Sequence, residues 1–275
     1  MSKNIESHLS EDREFKPSKE FSKKARISSM SQYKRMHKES VEKPHVFWAR
    51  EAKELQWSKK WGKVLDWKAP YAKWFVGGKT NVCVNCVDRH VDEGRGNKAA
   101  FLWEGEPGDK RTITYSQLKR EVSRFSNVLE ANGVKSKDRV LIYMPMVPEA
   151  SIAMLACARI GAIHSVVFGG FAAHELAVRL DDAQPKAILA GSCGIEPTRI
   201  IAYKPLIDAA IELAGHKPET VIILQRDQQP AELIPGRDFD WHAVQDGVTP
   251  AECLPVEGNH PAYILYTSGT TGAPK

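Results

Sequence analysis

The sequence predicts an α/β fold, a mostly parallel sheet flanked by helices, and three observations carry that expectation. Apolar runs of strand length ("RVLIYM", "IHSVVF", "KAILA", "TVIIL" and "AYILY") recur between Arg139 and Tyr266. The stretches between them place apolar residues three and four apart, the period of a helix with one buried face. The runs are continuous and not alternating, as strands covered on both sides must be, and a repeated strand–helix–strand order makes such strands parallel.

The elements follow in chain order. Residues 1–40 contain ten Lys/Arg against six Asp/Glu and few aromatics, which predicts a solvated, partly ordered charged leader. A basic arm for RNA is the alternative, opposed by the interleaved acids and the lack of clustered base-stacking rings. From Phe47 to Phe75 the texture changes, with Trp48, Trp57, Trp61, Trp67 and Trp74 in one segment. Rings of that size predict a layer packed on a larger domain.

Residues 100–275 read as one domain. Thr114-Tyr115-Ser116-Gln117 is a T-x-x-Q capping box, followed by Leu118, Val122, Phe125 and Leu129 on one helical face and by Gly133 at the stop. "RVLIYM" is a buried strand. Pro148 suits the first turn of a second helix with the buried stripe Ile152, Leu155 and Ile160, and Gly161 ends it. After "IHSVVF", a helix around His174–Leu180 leads to "KAILA", and another from Pro205 to Leu213 leads to "TVIIL". "AYILY", residues 262–266, is the last strand.

Composition narrows the function. A chain of 275 residues with 42% hydrophobic content buries one substantial core, alone or with a smaller satellite. A charged fraction of 27% and a net charge of +5 require neither a nucleic acid nor a membrane as partner. The N-terminus alternates acid and base without an apolar stretch, so no secretory signal is read and a cytoplasmic location is expected. Pro145, Pro148, Glu149, Arg159 and His164 interrupt the most apolar stretch, so no membrane span is read either. Of five cysteines, Cys83 and Cys86 form a lone C-x-x-C, and Cys157, Cys193 and Cys253 lie in apolar surroundings. Without a second ligand pair, free thiols in a reducing compartment are expected, with a redox or metal role as the alternative. His90, His164 and His174 have neither a nearby nucleophile nor metal-ligand spacing and are read as structural. Asp181-Asp182 is expected to face water, and "KKWGK" to be a solvated basic run.

One stretch carries chemistry. Directly after "AYILY" come Thr267, Ser268, Gly269, Thr270, Thr271, Gly272, Ala273, Pro274 and Lys275. Glycines let several N–H groups converge, hydroxyls add donors and the lysine adds a mobile charge, a set suited to a polyphosphate at the carboxyl end of a strand. Ala273-Pro274 before Lys275 departs from G-x-x-x-x-G-K-[ST], which argues against a Walker A loop. A Gly/Ser/Thr-rich surface turn is the structural alternative.

The string "YTSGTTGAPK" resembles the phosphate loop of the adenylate-forming superfamily. "NCVDRHV", "FLWEGEPGDKRTITYSQL" and "YMPMVPEASIAMLACARIGAIHSVVFGGF" resemble its short-chain members, the acetyl-CoA synthetases and their propionyl-CoA relatives. The resemblance implies an incomplete adenylate-forming N-terminal domain over residues 100–275, ending at the phosphate loop, with residues 41–99 as the N-terminal extension typical of those enzymes. It implies an ATP-dependent acetate–CoA ligase: a carboxylate attacks the α-phosphorus of ATP, and CoA then displaces AMP from the acyl-adenylate. "WKAPYAKWFVGGK" and "WEGEPGD" are similar to acetate-type sequences, "FAAHELAVRLDDAQPK" and "GIEPTRIIAYKPL" to propionate-type ones, so propionate stays open as the acid.

By the same resemblance Thr267, Ser268, Gly269, Thr270, Thr271, Gly272 and Lys275 bind the ATP phosphates, while Gly169, Gly170 and Arg199 contact CoA. A plain strand-to-helix turn is the alternative for the two glycines, and a surface salt bridge for Arg199. Glu196 stands where the acetate-type pattern has a second arginine, so the CoA grip is expected to differ, as in the propionate-type branch, with a weaker grip as the alternative. ATP, CoA and magnesium are the implied cofactors, with the magnesium ligand and every catalytic residue expected beyond Lys275. The partners expected are small molecules, with no nucleic acid and no membrane. A fragment of a longer ligase, inactive and marginally stable alone, is therefore expected; a non-catalytic nucleotide- or CoA-binding remnant and an unrelated phosphate-binding α/β protein are the alternatives.

Overall fold

A computed structural model describes residues 14–267. The chain divides into two compact units, the first ending at Glu54 and the second beginning at Leu55. In the first, Ser18 and Ser29 cap α1 (Lys19–Lys24) and α2 (Met30–Glu42) by accepting from Phe21 N and Gln32 N, and Pro44 opens α3 (Pro44–Glu51). None of these helices buries a residue, in keeping with their charged sequence. Arg50 reaches Glu39 at 2.9 Å on this surface.

The second unit opens with the hairpin β1 (Lys63–Lys68) and β2 (Tyr71–Val76), then β3 (Lys79–Thr80). The tryptophans of this region do not form one buried layer: Trp57, Trp61 and Phe75 cluster with ring centroids 4.8 to 5.2 Å apart, while Trp67 is 62% exposed. Two π-helical turns over 84–95 lead to a second hairpin, β4 (Ala99–Glu104) with β5 (Lys110–Thr114).

Helix α4 (Tyr115–Ala131) starts as its sequence dictates. Thr114 Oγ1 accepts from Gln117 N at 3.2 Å, Gln117 Oε1 accepts from Thr114 N at 2.8 Å, and Gly133 (φ +80°) turns the chain after the helix. There follow β6 (Arg139–Tyr143), α5 (Pro148–Ile160), β7 (Ile163–Val166), α6 (Ala173–Ala183) and β8 (Ala187–Gly191). A hairpin absent from the sequence reading, β9 (Cys193–Glu196) with β10 (Arg199–Ala202), precedes α7 (Lys204–Leu213). The described chain closes with β11 (Thr220–Leu224), β12 (Asp238–Asp240), β13 (Val256–Glu257) and β14 (Tyr263–Ile264). β14 is shorter than the strand expected over 262–266.

Six strands form one parallel sheet in the order β12-β11-β8-β6-β7-β14. Alternate residues divide it into two cores. Val140, Ile142, Leu189 and Ile222 face Leu118, Val122 and Phe125 of α4 and Ile152, Ala153 and Cys157 of α5. Leu141, Tyr143, Ile188, Val221 and Ile223 face Leu176 and Leu180 of α6 and Ile207 and Ala210 of α7. The chain steps from β6 to β7 in one direction and from β7 back to β8 in the other. Right-handed crossovers taken in opposite directions put their helices on opposite faces, which accounts for the division.

The segment from Asn81 into "NCVDRHV" (85–91) is a structural clamp. Asn81 Nδ2 donates to the carbonyls of Ala158 (2.7 Å), Arg159 (3.2 Å) and Leu254 (2.8 Å), tying the C-terminal turn of α5 to the chain before β13. Asp88 pairs with Arg159 at 2.9 Å in the interior, and Arg159 Nε donates to Ala251 O at 2.8 Å.

Candidate functional site

Where the chain reverses direction across the sheet, the loops after β6, β7 and β8 leave from the same, carboxyl end, the position at which open parallel sheets bind ligands. The loop after β7, "VFGGF", is built on two buried tyrosines. Tyr143, at the end of β6, accepts from Gly170 N at 3.1 Å and donates to Phe171 O at 3.0 Å. Gly170 has φ +105°, a conformation open to glycine and strained for any other residue. Tyr203, 4.7 Å from Tyr143 between ring centroids, lies so close to Gly169 and Gly194 that a Cβ at either would run into its hydroxyl. Burial raises both phenols, Tyr203 to about 12, so both keep their protons at neutral pH.

Arg199 stands on the β9–β10 hairpin, packed to this loop through Tyr203 at Gly169 and through Ile201, 4.0 Å from where a Cβ on Gly170 would sit. The fold thus brings Gly169, Gly170 and the Arg199 hairpin together. Arg199 is exposed and donates from Nε to Glu196 Oε2 at 2.7 Å, directly across the two-residue turn. That bond, first, and the adjacent carboxylate charge raise the guanidinium above its ordinary value. The residue that departs from the acetate-type pattern is therefore the ion-pair partner of the residue matched to CoA.

The edge strand β14 runs parallel to β7, with Tyr263 opposite His164 and Ile264 opposite Ser165. Arg179 of α6 ties the segments that follow the two strands. Its guanidinium lies 5.0 Å from the Phe171 ring centroid and 5.4 Å from that of Tyr266, and is held by Glu175 Oε2 at 2.9 Å. Tyr266 donates to Asp182 and is raised by burial and by that carboxylate. Both acids of the Asp181-Asp182 pair are exposed yet engaged, since Asp181 accepts from His216 N at 2.8 Å. Thr267 is the last described residue; Ser268, Gly269, Thr270, Thr271, Gly272 and Lys275 lie outside the described residues.

Two cations were missed by sequence reasoning. One is Arg179. The other is Arg226, just past β11, whose Nη1 donates to Cys193 O at 3.2 Å and whose N–H donates to Ser192 Oγ at 2.9 Å. Its position at the carboxyl end of "TVIIL" was the available signal. Of the histidines read as structural, His164 is pushed down to about 4 by burial, and His90 is lowered, first by burial and then by Arg95 and Arg89. Among the described residues no group of three or more His, Cys, Asp or Glu side chains is placed to hold a metal ion.

The sequence profile described as AMP-binding enzyme matches residues 87–275, and that of the acetyl-coenzyme A synthetase N-terminus matches residues 33–86. Acetyl-coenzyme A synthetase of Chlorobaculum tepidum is 45% identical over the whole chain, which covers 42% of that protein. Human mitochondrial acyl-CoA synthetase short-chain family member 3 is 46% identical over 90% of the chain and 36% of its own length. In structure, acetoacetyl-CoA synthetase from Streptomyces lividans superimposes with a TM-score of 0.80 over 90% of this chain and 38% of that one, at 24% identity, a likeness of fold. The chain spans about two fifths of the length of these relatives.

Proposed function

Because the chain belongs to the AMP-binding enzyme family, we propose that it supplies the first part of an acid–thiol ligase that joins acetate to CoA through an acetyl-adenylate. The observation that carries this reading is Arg179, packed against both Phe171 and Tyr266. It holds the glycine loop after β7 beside the chain that leads into Thr267, which supports a reading in which both matched segments serve one site.

In this reading the loop from Thr267 to Lys275 holds the β- and γ-phosphates of ATP. Its N–H groups, hydroxyls and lysine stabilise the charge that builds on pyrophosphate as the carboxylate attacks the α-phosphorus. The thiolate of CoA then attacks the acyl carbon, and AMP leaves. Gly169 and Gly170 let the backbone approach the nucleotide end of CoA, and Arg199 meets its 3′-phosphate once Glu196 releases it. A magnesium ion bound to ATP would screen phosphate charge; the described residues offer no site of their own for it.

The test is product formation by the protein encoded by the complete reading frame. Acetate, ATP and CoA together should yield AMP and acetyl-CoA, and omission of any one should abolish both. Propionate is the competing acid, and a higher kcat/KM for propionate replaces acetate in the proposal. ATP hydrolysis to ADP, or no acyl-CoA with either acid, contradicts it.

A further inference from the structure

The C-x-x-C pair read from the sequence does not act as a pair. Cys86 is exposed, whereas Cys83 is fully buried and tied through Asn81 to the segment that carries Cys253, 170 positions along the chain: Asn81 Oδ1 accepts from Cys83 N at 2.7 Å and Nδ2 donates to Leu254 O at 2.8 Å. Arg159 Nη1 lies 3.5 Å from Cys83 Sγ and is itself buried, anchored on Asp88. Cys253 is half-buried and lines a cleft of about 380 Å³ with Trp57, Thr80, Asn81, Val84 and Pro255. The arrangement places one thiol at a cleft, a second buried on the neighbouring segment and a fixed cation against the second.

We propose that Cys253 is a peroxide-reactive thiol that opens on this cleft, and that Cys83 resolves its oxidised form as an intramolecular disulfide. The Cys253 sulfur attacks one oxygen of a hydroperoxide, the O–O bond breaks, and hydroxide leaves to take up a proton as water. Cys253 becomes a sulfenic acid and the peroxide is reduced. Cys83 sulfur then attacks Cys253 sulfur, the S–S bond forms, and the sulfenic oxygen departs as water with the Cys83 proton. Two thiols and one hydrogen peroxide give one disulfide and two waters.

The electrostatics support the order of events. The Cys83 S–H donated to Cys253, the Arg159 charge and the Val84 N–H lower the Cys253 thiol against the opposing cost of burial and of the Asp88 charge. Cys83 is raised by the same hydrogen bond and by burial, so it keeps its proton until its partner is oxidised. Arg159 then stabilises the Cys83 thiolate as it attacks. Cys86 is raised, first by desolvation of its sulfur, with only the Arg89 charge acting to lower it. Exposure alone would favour Cys86; the cluster favours Cys253.

Two measurements on the reduced protein test this. Limiting iodoacetamide at neutral pH, followed by peptide mass spectrometry, should label Cys253 about ten-fold faster than Cys86, as a lowered thiol outreacts a raised one. Hydrogen peroxide followed by digestion without reductant should give a Cys83–Cys253 cross-linked peptide that dithiothreitol separates. In Cys83→Ser the same treatment should instead leave Cys253 as a sulfenic acid trapped by dimedone, and Cys86→Ser should still give the cross-link. Preferential labelling of Cys86, a Cys83–Cys86 cross-link, or peroxide treatment that leaves Cys253 unmodified in the wild-type protein overturns the proposal. None of these readouts depends on ligase activity.

Discussion

Glu196 Oε2 accepts from Arg199 Nε at 2.7 Å across the turn of the β9–β10 hairpin, so the one arginine matched to the CoA 3′-phosphate already holds a carboxylate. An anion and Glu196 compete for the same guanidinium face. The pair is exposed, so the competition is weak and screened by salt.

Glu196→Gln should therefore lower KM for CoA by about two- to five-fold at low salt, the scale of an exposed ion pair, and less at high salt. Arg199→Ala should raise it about ten-fold, the scale of a hydrogen bond to a charged group. Neither should move KM for ATP. Initial-rate kinetics with CoA varied check this, and an Arg199→Ala enzyme with unchanged KM for CoA would remove Arg199 from the site.

Gly169 and Gly170 fail for different reasons when replaced. Gly169→Ala puts its methyl against Tyr203 Oη, an overpacking cost of about 1–3 kcal/mol that Tyr203→Phe should partly relieve. Gly170→Ala meets only an ordinary contact, Ile201 at 4.0 Å, but must hold φ +105°, and no change at Tyr203 should relieve that strain. Denaturation midpoints of the single and double variants distinguish the two.

Much of this was legible in the sequence. The Thr114–Gln117 capping box, Pro148 and Gly161 mark helix ends by local chemistry, and the continuous runs of β6, β8 and β11 mark strands buried on both faces, so the parallel sheet followed from period and order. The β9–β10 hairpin was not legible because Arg199 and its neighbours carry no alternating pattern; its place is set by Tyr203 packing between Gly169 and Gly194. The roles of Arg179, Arg226 and the Asp88–Arg159 pair were hidden for another reason. Each depends on partners far away in sequence, and charge alone predicts only a solvated side chain.

The Asp88–Arg159 pair should dominate the stability of the 81–95 segment. Asp88→Ala leaves a buried guanidinium uncompensated and should cost about 3–5 kcal/mol, whereas Asp88→Leu with Arg159→Met should recover most of that loss. Urea unfolding of the three proteins tests this. Equal loss in the single and double variants would mean that packing, and not charge, sets the cost.

His164 gives the protein an acid-sensitive step. Its Nδ1 is buried without a hydrogen-bond partner, and burial pushes its pKa from 6.5 down to about 4. Between those values the unfolded chain binds a proton that the native state does not, so stability falls as pH falls through that window. From about pH 7 to about pH 5 the loss attributable to this residue is about 2 kcal/mol. Unfolding of His164→Leu at the two pH values should show that much less dependence; an unchanged slope would place His164 in contact with water.

If the carboxyl end of this sheet holds ATP for attack by a short carboxylate, pyrophosphate should exchange into ATP in the presence of that acid. Labelled pyrophosphate is incubated with ATP and the protein of the complete reading frame, with and without acetate and without CoA. Formation of a bound acetyl-adenylate predicts label entering ATP only when acetate is present, with Lys275→Ala reducing the rate at least about ten-fold, the scale of a lost charge-assisted contact to the departing phosphates. Absence of exchange with acetate or propionate while ATP still binds, or exchange independent of any carboxylate, would contradict it.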